Sequence, residues 1–174
     1  MRNIEPKKAN KKDAVASLAG QIPHLNSRDR ASLRRMDLTR SIAADSIIIQ
    51  MLVKAEVDVE TLRENEMEAW RTTAFAAALI SGTSGNTAHD PRKRLGRALK
   101  RANYSQTRME HLASREDAVL LRRALRFLVG AGSGPFDLRE VYALVGPDQR
   151  ARGRAVHSLM TSYYSTKAEV SEDN

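Results

Sequence analysis

The chain has 174 residues and 41% hydrophobic side chains, enough for one compact core or two small helical lobes and too short for a large multidomain enzyme. It carries 29 Lys and Arg against 21 Asp and Glu, a net charge of +8, which calls for a polyanionic partner. Cysteine is absent, which excludes disulfides, cysteine nucleophiles and thiolate metal sites.

Among the cations, 21 are Arg and only 8 are Lys; the planar guanidinium clamps phosphate, so the bias favours nucleic acid. Aromatic residues make up 5%, too few to supply the stacking platforms of a typical single-strand binder, and contact with the sugar-phosphate backbone is expected instead. No apolar run is long enough for a secretory signal or a membrane span, so a soluble, unexported, cytoplasmic protein is expected.

Residues 1–12, with Lys7, Lys8, Lys11 and Lys12, read as a disordered basic arm. From Asp13 onward apolar residues recur at three and four, and an all-α fold is expected. A first helix spans Asp13–Ile22 and stops at Pro23; Asn26 or Ser27 caps a second, Ser27–Met36. Helices follow at Ser41–Lys54 and Val59–Ser81, the latter with Trp70 as a core anchor. The Gly/Ser/Asn-rich stretch SGTSGNTAHDP, 81–91, is the strongest break and predicts two small helical bundles: an N-terminal lobe over 13–81, a mobile loop over 82–93 and a C-terminal lobe over 94–165, then a tail over 166–174. In the second lobe, helices are expected near Arg92–Ala102, Ser105–Ala113, Arg115–Val129, Asp137–Val145 and Pro147–Tyr164, with Ser105 and Ser114 as caps.

Charge is polarised along the chain. Residues 91–126 hold eleven basic side chains and three acidic ones, an excess equal to the net charge of the whole chain, while 54–68 is acidic. Arg94, Arg97 and Arg101 fall at i, i+3 and i+7 and share a helix face; Arg115, Arg122 and Arg126 do the same on a later helix, opposite Leu121, Leu125 and Leu128, with Arg123 at the flank. Lys100 and Arg108 belong to the same basic region, and Arg34 and Arg35 extend the track into the first lobe.

Catalytic and metal motifs are not found. His24, His89, His111 and His157 lack a metal-binding spacing, SGTSGNT lacks the Lys of a phosphate-binding loop, and GAGSG at 130–134 has the wrong spacing for a dinucleotide site. The cluster Glu60, Glu64, Glu66 and Glu68 reads as a solvated helix face, and Tyr163, within the apolar spacing Val156, Leu159, Met160 and Tyr163, as core before base stacking. No cofactor and no catalytic residue is expected.

DRASLRRM at 29–36, RLGRALKRA at 94–102, SQTRMEHL at 105–112, LLRRALRFL at 120–128, FDLREVYALV at 136–145 and SYY at 162–164, in that order and spacing, resemble the small-subunit family of the type I-E CRISPR interference complex, Cascade, called CasB. The likeness covers residues 26–165; the family often has Trp where this chain has Leu138, and near Tyr142. It implies a non-catalytic, two-lobed helical subunit that bridges other Cascade proteins, packs head to tail with a second copy, and steadies guide RNA, target DNA and the displaced strand through a basic surface. Carried over residue by residue, it assigns that role to Arg34 and Arg35, Arg97, Arg108, and Arg122 with Arg123. Sequence choice in such a complex is left to guide pairing, so phosphate contacts suffice. The rival reading is a helix-turn-helix DNA regulator with Ser105–Val129 as its helix pair, which needs base-edge contacts from one exposed helix.

Overall fold

The computed structural model describes residues 11–36, 41–84 and 87–166; the tail beyond 166, most of the expected N-terminal arm and positions 85–86 lie outside them. Among the described residues the chain is all-α: α1 (Lys11–Gln21), α2 (Ser27–Arg34), α3 (Ile42–Lys54), α4 (Glu64–Ser84), α5 (Leu95–Arg101), α6 (Gln106–Ser114), α7 (Ala118–Gly130), α8 (Leu138–Val145) and α9 (Gln149–Tyr164). α1 starts two residues inside the stretch expected to be an arm, and Pro23 turns its end into a short 3-10 segment, Ile22–His24.

Helix starts follow side-chain chemistry. Asn26, Ser41, Asp117, Asp137 and Asp148 each accept a hydrogen bond from an otherwise orphaned amide of α2, α3, α7, α8 and α9. The serine caps expected from sequence are not used. Ser105 makes no side-chain cap bond, and Ser114 lies in the last turn of α6, donating to His111 O, so Asp117 caps α7 instead. A carboxylate accepts more strongly from an amide than a hydroxyl does.

α4 organises the molecule. From Ala69 to Ala78 every residue is buried, a run rich in Ala and Thr whose small side chains let neighbours approach from all sides. α7 and α8 pack most extensively on it, with α2 close behind. Trp70, 1% exposed, stacks at 4.5 Å between ring centres on Tyr142 of α8. A helix from the first half of the chain is therefore wrapped by helices from the second, and buried side chains from Ala14 to Tyr163 form one core. The separation into two lobes expected at the Gly/Ser-rich stretch is not carried by this packing.

That stretch is also shorter than expected as a loop. α4 continues to Ser84, and the segment beyond 87 is stitched down: His89 bridges to Phe136, Asp90 N donates to Phe136 O at 3.1 Å, and Asp137 N to Lys93 O at 2.8 Å.

α5 and α9 form the second extensive contact. Gly96 lies against Leu159 O, Ser162 Oγ and Tyr163 N, space that no side chain fits. Buried Glu140 of α8 ties this corner together, accepting from Leu95 N (2.8 Å), Arg94 Nη1 (3.2 Å) and the Ser158 hydroxyl. It serves α5 as a cap supplied from another helix, since Arg94 at the cap position has no acceptor of its own.

Candidate nucleic-acid interface

The eleven basic residues singled out from sequence divide into those turned to the protein and those exposed on its surface. Arg34 is half-buried, its Nε donating to Ala78 O at 2.8 Å, with its guanidinium seated against Gly82. Arg126 Nη2 donates to Arg34 O at 2.8 Å and its guanidinium lies 5.1 Å from the centre of the Phe75 ring. Together they fasten α2, α4 and α7. Arg94 is paired with Glu140 at 3.2 Å and stands 3.6 Å from Asp137.

Arg122 overturns the face drawn from sequence spacing. It is 8% exposed, donates from Nε to Ala118 O at 3.3 Å and pairs through Nη2 with Glu68. The face expected for Arg115, Arg122 and Arg126 is not formed: Arg115 is the extended residue that ends α6, before α7 begins at Ala118, and α4 covers Arg122. Phosphate has no access to a guanidinium so enclosed.

Glu68 belongs to a larger cluster. Arg71, 7% exposed, makes a fork to Asp45 at 2.8 and 2.9 Å and reaches Glu64 at 2.6 Å and Glu68 at 3.4 Å. The bond to Asp45 is the main cause of its raised pKa. Glu64, 67% exposed as a solvated face would be, and the half-buried Glu68 thus also neutralise two buried arginines. Arg71 lies 7 and 3 residues from Glu64 and Glu68 on α4 itself, but the Asp45–Arg71 and Glu68–Arg122 pairs span 26 and 54 residues, which the local sequence does not show.

The remaining cations face outward. Arg35, Arg97, Arg101, Arg108, Arg115 and Arg123 are exposed, and Lys100 is half-buried with its ammonium 5.1 Å from the Tyr163 ring centre. Tyr163, as expected, is core: 2% exposed, its hydroxyl donates to Tyr104 O. Tyr164 is half-exposed and donates to Glu110 at 2.8 Å. Tyr104 packs edge-on at 5.2 Å against Phe127, which brings the α5–α6 turn to the C-terminal half of α7. α5 and α6 both pack on α9, and α5 also touches α7, so the exposed cations sit on helices joined through α9 and the Tyr104–Phe127 contact.

Sequence reading passed over Arg150 and Arg154, both exposed on α9. The spacing of Arg150, Arg154 and His157, at i, i+4 and i+7, is a legible signal, hidden by counting charge only over 91–126.

His89 is half-buried, with its side chain 8% exposed, while the other histidines are exposed; Leu138 N donates to its Nδ1 at 3.1 Å. Burial is the first cause lowering its pKa, so it is neutral, and Asp137 at 3.7 Å lies outside hydrogen-bonding distance. Among the described residues no group of His, Asp and Glu is arranged to hold a metal ion, and no helix is long and apolar enough to cross a membrane. No family model matches the chain, and comparison with curated proteins and with solved structures finds no match.

Proposed function

We propose that the chain is a non-catalytic nucleic-acid-binding subunit of a type I-E CRISPR ribonucleoprotein. In this reading it bridges neighbouring Cascade proteins in the cytoplasm and steadies guide RNA, target DNA and the displaced strand by contacts to phosphate. The observation that carries it is the set of exposed arginines on α5, α6 and α7 and in the α6–α7 connection: Arg97, Arg101, Arg108, Arg123 and Arg115. Three of them, Arg97, Arg108 and Arg123, are positions that the family resemblance marks; of its other positions Arg35 is exposed, and Arg34 and Arg122 are internal. Guanidinium groups without a matching display of Asn and Gln suit a reader of backbone, whose sequence choice comes from base pairing. α7 also favours this reading over a helix-turn-helix regulator. Leu121, Arg122, Ala124, Leu125 and Leu128 are buried on it, and the exposed Val119, Arg123 and Arg126 offer no base-edge pattern.

Fluorescence anisotropy of the purified chain with mixed-sequence RNA and DNA single strands tests the binding, and recovery of the tagged chain from its native cells tests the assembly. Binding that ignores sequence and weakens with salt, together with co-purified Cascade proteins and short guide RNAs, is the expected result. Sequence-selective binding to duplex DNA by the chain alone would overturn it.

A further inference from the structure

α3 is apolar on two opposite faces. Ala44, Ile48, Met51 and Leu52 are buried on the side that meets α1, α2 and α4, whereas Ile42, Ile49 and Val53 stand 88%, 41% and 56% exposed. At about 100° per residue these three and Ser46 fall within about 60° of one another and point away from the core. A helix that is apolar all round is ordinarily buried all round, and no described element covers this outer face.

Ile42, Ser46, Ile49 and Val53 are separated by four, three and four residues, the 3.5-residue repeat of a seam between two helices. The seam is about 16 Å long at the rise of an α-helix. Ser46, its one polar member, donates its hydroxyl to Ile42 O at 3.0 Å, so its proton is already placed.

The border of the seam selects the partner. Beyond Val53 the chain turns at Glu56, whose φ is +57°. Glu56, Asp58 and Glu60 are all exposed there and make no ion pair among the described residues. Residues 54–66 hold five carboxylates against Lys54 and Arg63; Glu64 turns to Arg71, so the outward excess lies with Glu56, Asp58 and Glu60. The C-terminal end of α3 adds its own negative partial charge. Such a border repels nucleic acid and gives no hold on anionic lipid. It suits cations flanking the apolar seam of another helix, the charge pairs that choose partners in coiled coils.

We infer that the outer face of α3 docks an amphipathic helix of another protein, whose apolar residues lie on Ile42, Ile49 and Val53 and whose Lys or Arg meets Glu56, Asp58 and Glu60. The face belongs to a helix packed on α1, α2 and α4, and the inference does not rest on nucleic-acid binding by the arginines of α5, α6 and α7.

The test uses the full chain and two synthetic helical peptides with the same leucine seam, one flanked by lysine and the other by glutamate, followed by calorimetry and by amide NMR shifts. The lysine peptide is expected to bind with shifts at Ile49 and Val53, against the chain's net charge of +8, and the glutamate peptide about tenfold more weakly or worse. Ile49→Asp with Val53→Asp should weaken the lysine peptide by about tenfold or more, the worth of one buried aliphatic side chain. Ile49→Ser is the milder variant and should weaken it less. Asp58→Lys with Glu60→Lys should narrow the gap between the two peptides. Equal binding of both peptides by the unaltered chain, or undiminished binding by the Ile49→Asp, Val53→Asp chain, overturns the inference. Sedimentation as a dimer that Ile49→Asp dissociates assigns the face to a second copy and overturns it too, as does α3-dependent binding to phosphatidylcholine vesicles. Single-strand binding by the Ile49→Asp, Val53→Asp chain should be unchanged, which keeps failure here distinct from failure of the nucleic-acid reading.

Discussion

Gly96 sets how closely α5 approaches α9. A methyl group there would strike Leu159 O and Ser162 Oγ and stand 2.9 Å from Tyr163 N, and two of these are backbone atoms that do not swing aside. Gly96→Ala should therefore destabilise the fold by about 1–3 kcal/mol, as overpacking does, read as a lower urea midpoint with unchanged slope. Gly153, on the same partner helix, has nothing within 4 Å of where its Cβ would stand, and Gly153→Ala should instead raise stability by about 1 kcal/mol through helix propensity. His89 makes a pH prediction with a definite sign. Burial, reinforced by Arg139 and opposed by Asp137 and Asp90, holds its pKa below the ordinary value, while in the unfolded chain it takes up its proton near ~6.5. Between those values the unfolded chain binds more protons, so stability falls as pH drops below about 6.5. His89→Asn, whose carbonyl oxygen can still accept from Leu138 N, should flatten that part of the stability curve in denaturation series from pH 7.5 to 5.

At the scale of the helix, two adjacent residues of α7 have opposite duties. Arg122, buried like Arg71, completes the ion-pair cluster of Arg71 with Asp45, Glu64 and Glu68, whereas Arg123 is exposed. Removing Arg122 leaves Glu68 short of a charged partner at the α4–α7 contact, and Arg122→Ala should cost about 1–3 kcal/mol of stability. Arg123→Ala should leave the thermal midpoint in place and weaken single-strand binding, so a paired melting and anisotropy experiment separates structural from binding arginines. The contrast also marks how far the sequence was legible. Helix positions followed from apolar periodicity and punctuation by Pro and Gly, which are local; the start of α3 at Ser41 and the core position of Trp70 are examples. Which arginines face water was legible only in part. Spacing gives a direction around one helix axis, but what lies in that direction for Arg122 is Glu68, 54 residues away. The α9 arginines, by contrast, were legible but fell outside residues 91–126; the same blindness hid the pairing of Glu68 with Arg122. It also explains Ser114: its type suits a cap, yet Asp117 three residues later starts α7.

For the whole molecule, the central place of α4 predicts how it unfolds. Because α4 is packed by α7 and α8 as well as by α1, α2 and α3, neither half of the chain can melt without exposing the core of the other. Calorimetric and van't Hoff enthalpies should agree, as for a single cooperative unit; two resolved transitions would restore the two-lobe division. Charge is distributed unlike the core, with the arginines of α5, α6 and α7 other than Arg122 outside and the acids of α3 and α4 turned partly inward to Arg71 and Arg122. Binding to single strands should therefore fall steeply with salt, and the Arg97→Glu, Arg101→Glu, Arg123→Glu chain should show a shallower slope on a log–log plot. Trp70 adds an optical consequence. It is the chain's one tryptophan, sits in the core, and touches Tyr142 of a helix from the opposite half. Light absorbed by Tyr142 passes to so close an indole, and emission from Trp70 then reports in a single wavelength whether the two halves of the chain are still joined. The protein carries its own gauge of assembly, readable without a label.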